Sequence, residues 1–319
     1  MAEAPPIEVR GLVKRYGEIT AVDDVDLTVN PGDVFGYLGP NGAGKTTSIR
    51  MMLGLIRPTA GTVRLFGRDP QISVSALEGV AGFVEAPSFY PYLSGRANLE
   101  LCAALDGRDA ARIDEVLETV ELLPRAKDKV KGYSHGMRQR LGIASALLRK
   151  PRLLLLDEPT TGLDPAGMRD MRELVRELGA RGITVLLSSH QMMEVEELCN
   201  RVAIIRNGQV AYEGSLAELR GRAGSSYLLR TTDDSRARGI CLSQPGIEAV
   251  TDADPTGLTF KAPDEDAVGA LSIALGESGA AVLELTPRQA TLEDLFFQLT
   301  EGDGLGPAGD RPQVAEKVA

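Results

Sequence analysis

The chain has 319 residues, long enough for two domains with cores of their own, and its 43% hydrophobic and 25% charged residues are usual for a globular protein. It has no apolar run near the ~20 residues of a membrane helix, no basic and then apolar leader, and three cysteines too widely spaced to indicate a zinc site or disulfide framework. The cysteine pattern favours a reduced cytosolic protein. The net charge of −10 disfavours nucleic acid as the main partner, so we expect a protein that binds no nucleic acid.

The negative charge is concentrated towards the C-terminus. Residues 1–224 hold 28 basic and 29 acidic residues, whereas residues 225–300 hold 5 and 12. This shift predicts a large N-terminal domain over 1–224 and a smaller accessory domain over 225–300. Residues 301–319 consist mainly of glycine, proline and charged residues with few large apolar side chains, so we expect a disordered tail there.

Predicted strands and helices alternate along the first domain. The predicted strands are 7–10, 25–29, 34–38, 153–156, 183–188 and 202–205. The predicted helices are 45–55, 113–122, 136–148, 169–178 and 192–199. Alternation of this kind favours an α/β fold around a largely parallel sheet.

A glycine-rich segment, GPNGAGKT, follows the strand 34–38 and precedes a helix. Its spacing fits the phosphate-binding loop known as Walker A, in the strand–loop–helix context that the motif requires. Glycines let backbone N–H groups turn towards phosphate oxygens, and the helix directs the positive end of its dipole at the same oxygens. We expect Lys45 to reach the β- and γ-phosphates and the Thr46 hydroxyl to bind Mg²⁺. The predicted nucleotide-binding residues of the loop are Gly39, Pro40, Asn41, Gly42, Ala43, Gly44, Lys45, Thr46 and Thr47.

Two adjacent carboxylates, Asp157 and Glu158, follow the apolar strand 153–156. An apolar strand that ends in Asp-Glu is common, but beside a phosphate-binding loop both motifs are expected around one nucleotide. Asp157 is then predicted to hold Mg²⁺, and Glu158 to polarise the attacking water as a general base.

Three further segments stand in a fixed order around this pair: YSHGMRQR at 133–140, TGLD at 161–164 and LSSH at 187–190. As a set they resemble the ATP-binding-cassette (ABC) ATPases over roughly residues 7–220. The resemblance implies a P-loop NTPase fold of the ABC type, with a RecA-like core and a helical subdomain at about 88–150. It also implies ATP and Mg²⁺ as cofactors, and two cassettes that stack head to tail.

By this resemblance, five residues acquire roles around ATP. Ser134 and Gly136 would touch the γ-phosphate of ATP held by the partner subunit, and Asp164 would cross the dimer interface. His190 would contact the γ-phosphate in its own subunit, and Tyr16 would stack on the adenine. The plainer alternatives are that Tyr16 is packing, that His190 caps the next helix, and that Ser134 is a helix N-cap.

Two departures from the family pattern matter. His135 stands where the signature segment usually has glycine, which either is tolerated structurally or adds a titratable donor near phosphate. Glu85 is the best match for a glutamine that usually touches Mg²⁺ or the attacking water, so it is a third predicted metal ligand besides Thr46 and Asp157.

Within the family, the stretches 85–91 and 133–141 resemble the ATPase subunits of bacterial ABC-2-type drug and antibiotic exporters. This implies a peripheral subunit at the cytoplasmic face of the membrane, paired with a separate permease and acting as a homodimer or a pseudo-symmetric dimer. The aromatic loop 89–92 is predicted to receive a permease helix, unless it only closes over its own core. The alternatives are an importer ATPase and a soluble non-transport ABC ATPase. The last ranks lowest, since the chain has one phosphate-binding loop and no long heptad run.

The accessory domain has a different pattern. Predicted strands at 226–231, 247–251, 257–261 and 281–285 and helices at 235–243 and 264–275 give the order β-α-β-β-α-β, which indicates a small ferredoxin-like α+β module. A further helix is expected to begin at Thr291. The domain shows no catalytic constellation, and a dimer-supporting or regulatory role is as open as a purely structural one.

Overall fold

The computed structural model describes residues 4–85, 87–107, 110–222, 225–253 and 257–288, together with Leu292 and Leu295. These residues form two compact units, one ending at Gly214 and the other beginning at Ser215. The division precedes the boundary expected near 224, because the short helix Leu216–Arg222 groups with the second unit and leaves no mark in the charge composition. The helix expected from Thr291 and the tail 301–319 lie outside the described residues.

Strands and helices alternate in the first unit from its third strand onwards, as predicted. The strands are β1 Ile7–Tyr16, β2 Ile19–Val29, β3 Val34–Leu38, β4 Ala60–Leu65, β5 Val80–Phe83, β6 Leu153–Asp157, β7 Thr184–Ser189, β8 Arg201–Arg206 and β9 Gln209–Ser215. The helices are α1 Lys45–Met52, α2 Gly95–Leu105, α3 Ile113–Thr119, α4 His135–Leu147, α5 Pro165–Ala180 and α6 Met192–Leu198.

The central sheet has six strands in the order β5-β6-β7-β3-β8-β9. From β5 to β8 the neighbouring strands are parallel, so the α/β fold with a largely parallel sheet is confirmed. All five residues of β6 are buried, which explains its unbroken leucine run, because a parallel sheet is covered on both faces. The carboxyl ends of β6, β7 and β3 therefore lie side by side at one edge of the sheet.

A separate antiparallel sheet, in the order β2-β1-β4, packs with α1 and the central sheet. Apolar residues from both sheets and from α1 form one buried core that includes Phe35, Tyr37 and Met51. Helices α2, α3 and α4 follow β5 and precede β6 in the chain, and they pack against one another. Their residues lie within the range expected for the helical subdomain. None of the helices in the described part of the chain has the length and apolar character of a membrane span.

The second unit contains the predicted α+β module. After α7 Leu216–Arg222 come β10 Ser225–Thr231, α8 Asp234–Ser243, β11 Glu248–Asp252, β12 Leu258–Ala262, α9 Glu265–Glu277 and β13 Val282–Arg288. The strands form one antiparallel sheet in the order β11-β12-β10-β13. Phe260, Leu271 and Leu275 are fully buried in a core that belongs to this unit, and the order of elements after α7 is β-α-β-β-α-β as predicted.

Candidate active site

The glycine-rich loop is packed too tightly for side chains at two of its glycines. A Cβ at Gly39 would lie 2.4 Å from the Ile205 carbonyl oxygen, and one at Gly44 would lie 2.3 Å from that of Ala21. Gly44 also has φ +100°, a conformation that residues with a Cβ rarely adopt. Glycine is therefore required where the loop backbone packs against Ile205 and Ala21, and α1 begins directly after the loop at Lys45, with its N-terminus at the loop.

Lys45 occupies the centre of this loop. Its Nζ atom donates hydrogen bonds to the carbonyl oxygens of Gly39, at 2.8 Å, and Pro40, at 3.2 Å. The same Nζ lies 3.3 Å from Oε1 of Glu158, and the side chain is only 5% exposed. A buried ammonium group needs such partners, and each of them can be exchanged for a phosphate oxygen.

Asp157, the last residue of β6, joins the loop helix to the neighbouring strand. One carboxylate oxygen accepts from the Thr46 hydroxyl at 2.9 Å, and the other accepts from the Ser188 hydroxyl at 2.5 Å. Ser188 lies directly beside Asp157 in the pairing of β6 with β7. The sequence analysis assigned Ser188 no role; a hydroxyl next to the end of a parallel strand was the available signal.

Glu158 is held by the groups around it in a strained backbone conformation, with φ 47°. Its backbone N–H donates to the Ser188 hydroxyl at 2.9 Å, and its Oε2 accepts from the Thr161 hydroxyl at 2.8 Å. His190 Nδ1 lies 3.2 Å from the same Oε2. Burial raises the pKa of Glu158, but the Thr161 hydrogen bond and the charges of Lys45 and His190 together lower it by more, so the carboxyl has a pKa below its ordinary value.

His190 contacts this carboxylate rather than capping the following helix. The N-cap of α6 is Gln191, and its side chain makes no capping hydrogen bond. The preceding Ser189 carbonyl oxygen accepts from the Gly39 N–H at 3.2 Å, which ties the His190 segment to the glycine loop. The structure thus brings Lys45, Thr46, Asp157, Glu158 and His190 into one network.

Ser134, Gly136 and Asp164 form a second group. The Ser134 hydroxyl accepts from the Met137 N–H at 3.2 Å and caps α4, and the Asp164 carboxylate accepts from the Gly167 N–H at 2.9 Å and caps α5. The first turns of both helices line a cavity of about 580 Å³. Ser134 is therefore an N-cap, and its contact with phosphate stays a prediction.

Tyr16 lies at the end of β1 and is 50% exposed, so it is not part of the core. The Lys14 Nζ atom lies 4.9 Å from the centre of its ring. The ring is thus accessible from solvent, and its stacking on adenine remains a prediction. In the glycine-rich loop at residues 39–46, the side of the predicted nucleotide site formed by Pro40, Asn41 and Gly42 is exposed.

Glu85 has a partner that the sequence analysis did not foresee. An Arg50 N–H donates to its Oε1 at 2.5 Å, and the Glu85 side chain is 66% exposed with φ 65° at the backbone. Arg50 belongs to α1, so the guanidinium compensates the extra negative charge of a glutamate at this position. Its role as a metal ligand stays a prediction.

Mg²⁺ has a fitting pair of oxygens in the Thr46 hydroxyl and the Asp157 carboxylate. Among the residues that the structure describes, no cluster of three or more His, Cys, Asp or Glu side chains could hold a metal ion. Mg²⁺ usually takes one or two protein oxygens and completes its shell with water and substrate phosphates. The residues present therefore suit a metal that arrives with a nucleotide.

Comparison with known proteins agrees with this geometry. A family model described as ABC transporter matches residues 22–161. The chain is 40% identical over 314 residues to the uncharacterized ABC transporter ATP-binding protein YdbJ of Bacillus subtilis, a match that covers 94% of this chain and 96% of YdbJ. It is 39% identical over 303 residues to the bacitracin transport ATP-binding protein BcrA of Bacillus licheniformis, covering 94% of this chain and 99% of BcrA.

A solved structure extends the comparison. An ATP-binding cassette crystallised as a dimer in a post-hydrolysis state with ADP and Pi is 26% identical, with a TM-score of 0.59 over 66% of this chain and 98% of that chain. The sequence relatives match over nearly their whole lengths. The chain therefore belongs to the ABC transporter family, as a subunit that binds and hydrolyses ATP.

Proposed function

We propose that this subunit powers the export of antibiotic- or drug-like molecules through a separate membrane permease, at the cytoplasmic face of the membrane. Support for the cargo class comes from BcrA, which is named for bacitracin transport and aligns with 94% of this chain. The observation that carries the energy-coupling role is the network in which Lys45, Asp157 and Glu158 meet at the edge of the central sheet.

Each member of the network has a part in hydrolysis. Lys45 exchanges Glu158 and the loop carbonyls for the β- and γ-phosphates of ATP. Thr46 and Asp157 would hold Mg²⁺, which would supply positive charge beside the phosphates. Glu158, released from Lys45, orients the attacking water and takes its proton, and His190 turns to the γ-phosphate.

We assign Ser134, Gly136 and Asp164 to the interface between two subunits stacked head to tail. Ser134 and Gly136 stand at the N-terminus of α4, which lines an open cavity, and a helix N-terminus is a favourable place for phosphate. The similar cassette that was solved as a dimer supports the pairing of two subunits. The partner is a second copy or a homologous subunit in a pseudo-symmetric pair.

We assign the permease contact to a cleft of about 390 Å³ beside the aromatic loop. Phe83, Pro87 and Phe89 line it together with the ion pair of Asp106 and Arg149. Tyr90 and Tyr92, which follow Phe89 in the loop, are 50% and 62% exposed, and Leu105 in the lining of the cleft is 80% exposed. A cleft of mixed apolar and charged lining, with exposed aromatic residues nearby, suits a short amphipathic helix of a membrane subunit.

Vesicle transport tests the proposal directly. The subunit is co-expressed with a candidate membrane permease from the same genome, and we expect ATP-dependent uptake of labelled bacitracin or daunorubicin-like drugs into inverted vesicles. The Glu158→Gln subunit serves as the control that assembles without turnover. Uptake only into right-side-out vesicles would instead identify an importer, and ATP hydrolysis by a subunit that never co-purifies with a membrane protein would favour a non-transport role.

A further inference from the structure

The imidazole of His135 lies against the turn that follows Glu158. His135 is the first residue of α4, and its Nε2 atom is 3.0 Å from the Thr161 carbonyl oxygen. A Cβ placed on Gly162 would lie 3.4 Å from the same nitrogen, so the ring also rests on the Gly162 backbone. Because a carbonyl oxygen only accepts, Nε2 carries the hydrogen in this contact.

Thr161 continues the connection to the carboxylate. Its hydroxyl donates to Glu158 Oε2 at 2.8 Å, and its backbone N–H donates to the Glu158 carbonyl oxygen at 3.2 Å. The turn at Thr161 therefore accepts a hydrogen bond from His135 and donates hydrogen bonds to both the side chain and the backbone of Glu158. Two consecutive hydrogen bonds lead from the first turn of α4 to Glu158.

Further along α4, an ion pair fastens the helix to α5, which begins directly after this turn. Arg140 lies 3.3 Å from the Asp170 carboxylate on α5, and it also pairs with Glu121 at 2.6 Å. The His135–Thr161 contact is therefore one link between α4 and this turn. Ser134 already caps α4 with its own hydroxyl, so the helix does not need His135 for that purpose.

We propose that His135 is a positioning residue for Glu158, acting through Thr161. This rests on the proposed function, in which Ser134 and Gly136, the neighbours of His135, hold the γ-phosphate of ATP bound to the second subunit. Occupancy of that second site moves the first turn of α4, and the His135–Thr161 hydrogen bond passes the change to the Glu158 of the same subunit. His135 thereby couples the two ATP sites of the dimer.

Three substitutions at His135 separate this role from simpler ones. His135→Gln keeps an N–H donor at a similar reach, His135→Leu keeps the bulk without the donor, and His135→Gly removes both. A hydrogen bond contributes about 1 kcal/mol net, so we expect the Leu and Gly variants each to lower kcat about 5-fold and the Gln variant to stay within about 2-fold of wild type. The Hill coefficient of ATP hydrolysis should fall in the Leu and Gly variants. The Kd for ATP of the isolated subunit should stay unchanged in all three.

A second pair of variants tests the route through Thr161. Thr161→Val removes the hydroxyl at nearly constant volume, and adding His135→Leu to it should lower kcat no further, because coupled sites are not additive. A His135→Leu variant with wild-type kcat and Hill coefficient would overturn the proposal, as would a fully additive double variant. Thermal unfolding of each full-length variant confirms that it is folded.

Failure of the proposed function has a different signature. Glu158→Gln and the double variant Glu158→Gln/His135→Leu should both dimerise with ATP and Mg²⁺ in size-exclusion chromatography. If both dimerise but the His135 series shows no difference between Gln and Leu, the head-to-tail dimer stands and the positioning role is wrong. If neither variant dimerises, both the head-to-tail dimer and the coupling of the two ATP sites are wrong. If the His135 variants still lower kcat in that case, His135 positions Glu158 only within its own subunit.

Discussion

Glu158 combines a carboxylate that is ionised at neutral pH with a strained backbone. Burial alone would raise its pKa, yet Thr161, Lys45 and His190 together hold the pKa below the ordinary value. Its left-handed φ of 47° is kept by hydrogen bonds from the backbone to Ser188 and from Thr161 to the side chain. Before ATP binds, Glu158 is therefore charged and is held in place by hydrogen-bond donors.

Removing one of these donors should change the pH dependence of the enzyme. Thr161→Val takes away a hydrogen bond that lowers the pKa of Glu158, so that pKa should rise towards the value that burial favours. The acid limb of the kcat/KM profile, which reports the free enzyme, should move to higher pH. Thr161→Ser, which retains the hydroxyl, is the matched control and should leave the limb in place. A limb that stays put in the Val variant would show that Thr161 does not tune Glu158.

Lys45 and Glu158 should separate binding from chemistry. Lys45→Ala removes the cation placed for the β- and γ-phosphates and should weaken ATP binding. Glu158→Gln keeps the shape and should retain binding while lowering turnover by about 100-fold or more, the range for a lost general base. Equilibrium binding of a labelled nucleotide and steady-state hydrolysis measure the two effects. Normal turnover by the Gln variant would remove Glu158 from the mechanism.

At the scale of elements, the aromatic loop is fixed from beneath by α2. Asn98 is 2% exposed, accepts from the Tyr90 N–H at 2.9 Å and donates to the Tyr90 carbonyl oxygen at 3.1 Å. The rings of Tyr90 and Tyr92 remain outside, with centres 5.7 Å apart. The loop thus presents aromatic side chains on an anchored backbone, as an interface anchor requires.

Removing these two rings should uncouple the subunit from its permease without harming the ATP site. Aromatic anchors commonly contribute about 2 kcal/mol or more to binding. Tyr90→Ala/Tyr92→Ala should therefore lower the affinity for the membrane subunit by at least about 30-fold, and co-purification with that subunit should fall accordingly. ATP binding by the isolated subunit should not change. The control is Ile72→Ala/Val74→Ala, an equally apolar and more exposed pair elsewhere on the surface. Wild-type co-purification by the tyrosine variant would limit the loop to local packing.

The segments that could be predicted are those whose pattern lies within one stretch of chain. Strand β3, strand β6 and helix α4 appear within a residue or so of their expected bounds, because an apolar run or a cap defines each one. Strand β4 was missed since most of its residues are exposed, and β5 since it has only four residues, one of them Gly82. Strand β1 continues beyond its expected end through irregular pairing with β2.

The site divides in the same way. Lys45, Thr46, Asp157 and Glu158 follow from motifs that carry their own spacing. Ser188, Thr161 and Arg50 do not, because each gains its role from a contact across strands, across a turn or with a separate loop. Such partners depend on which strands are neighbours in the sheet, and no local spacing records that order.

At the scale of the whole molecule, the trapped enzyme should be a dimer. With ATP and Mg²⁺, Glu158→Gln should elute as a dimer, because in the proposed head-to-tail arrangement the unhydrolysed nucleotide joins the glycine loop of one subunit to the Ser134 segment of the other. The double variant Lys45→Ala/Glu158→Gln, which lacks the phosphate cation, should remain monomeric and serves as the control. A Glu158→Gln protein that stays monomeric at high concentration, with and without its permease, would contradict the head-to-tail arrangement.

The 3.3 Å ion pair between Lys45 and Glu158 also makes nucleotide affinity a matter of proton linkage. When Lys45 leaves for the phosphates, Glu158 loses a cation and gains a triphosphate nearby, and both changes raise its pKa above that of the free subunit. ATP binding should then take up protons at pH values near the raised pKa of Glu158. The affinity for ATP should therefore increase as the pH falls through that range. Calorimetric titrations in buffers of different ionisation enthalpy measure this uptake, and Glu158→Gln should abolish it. The subunit would thus accept a proton as it accepts the nucleotide.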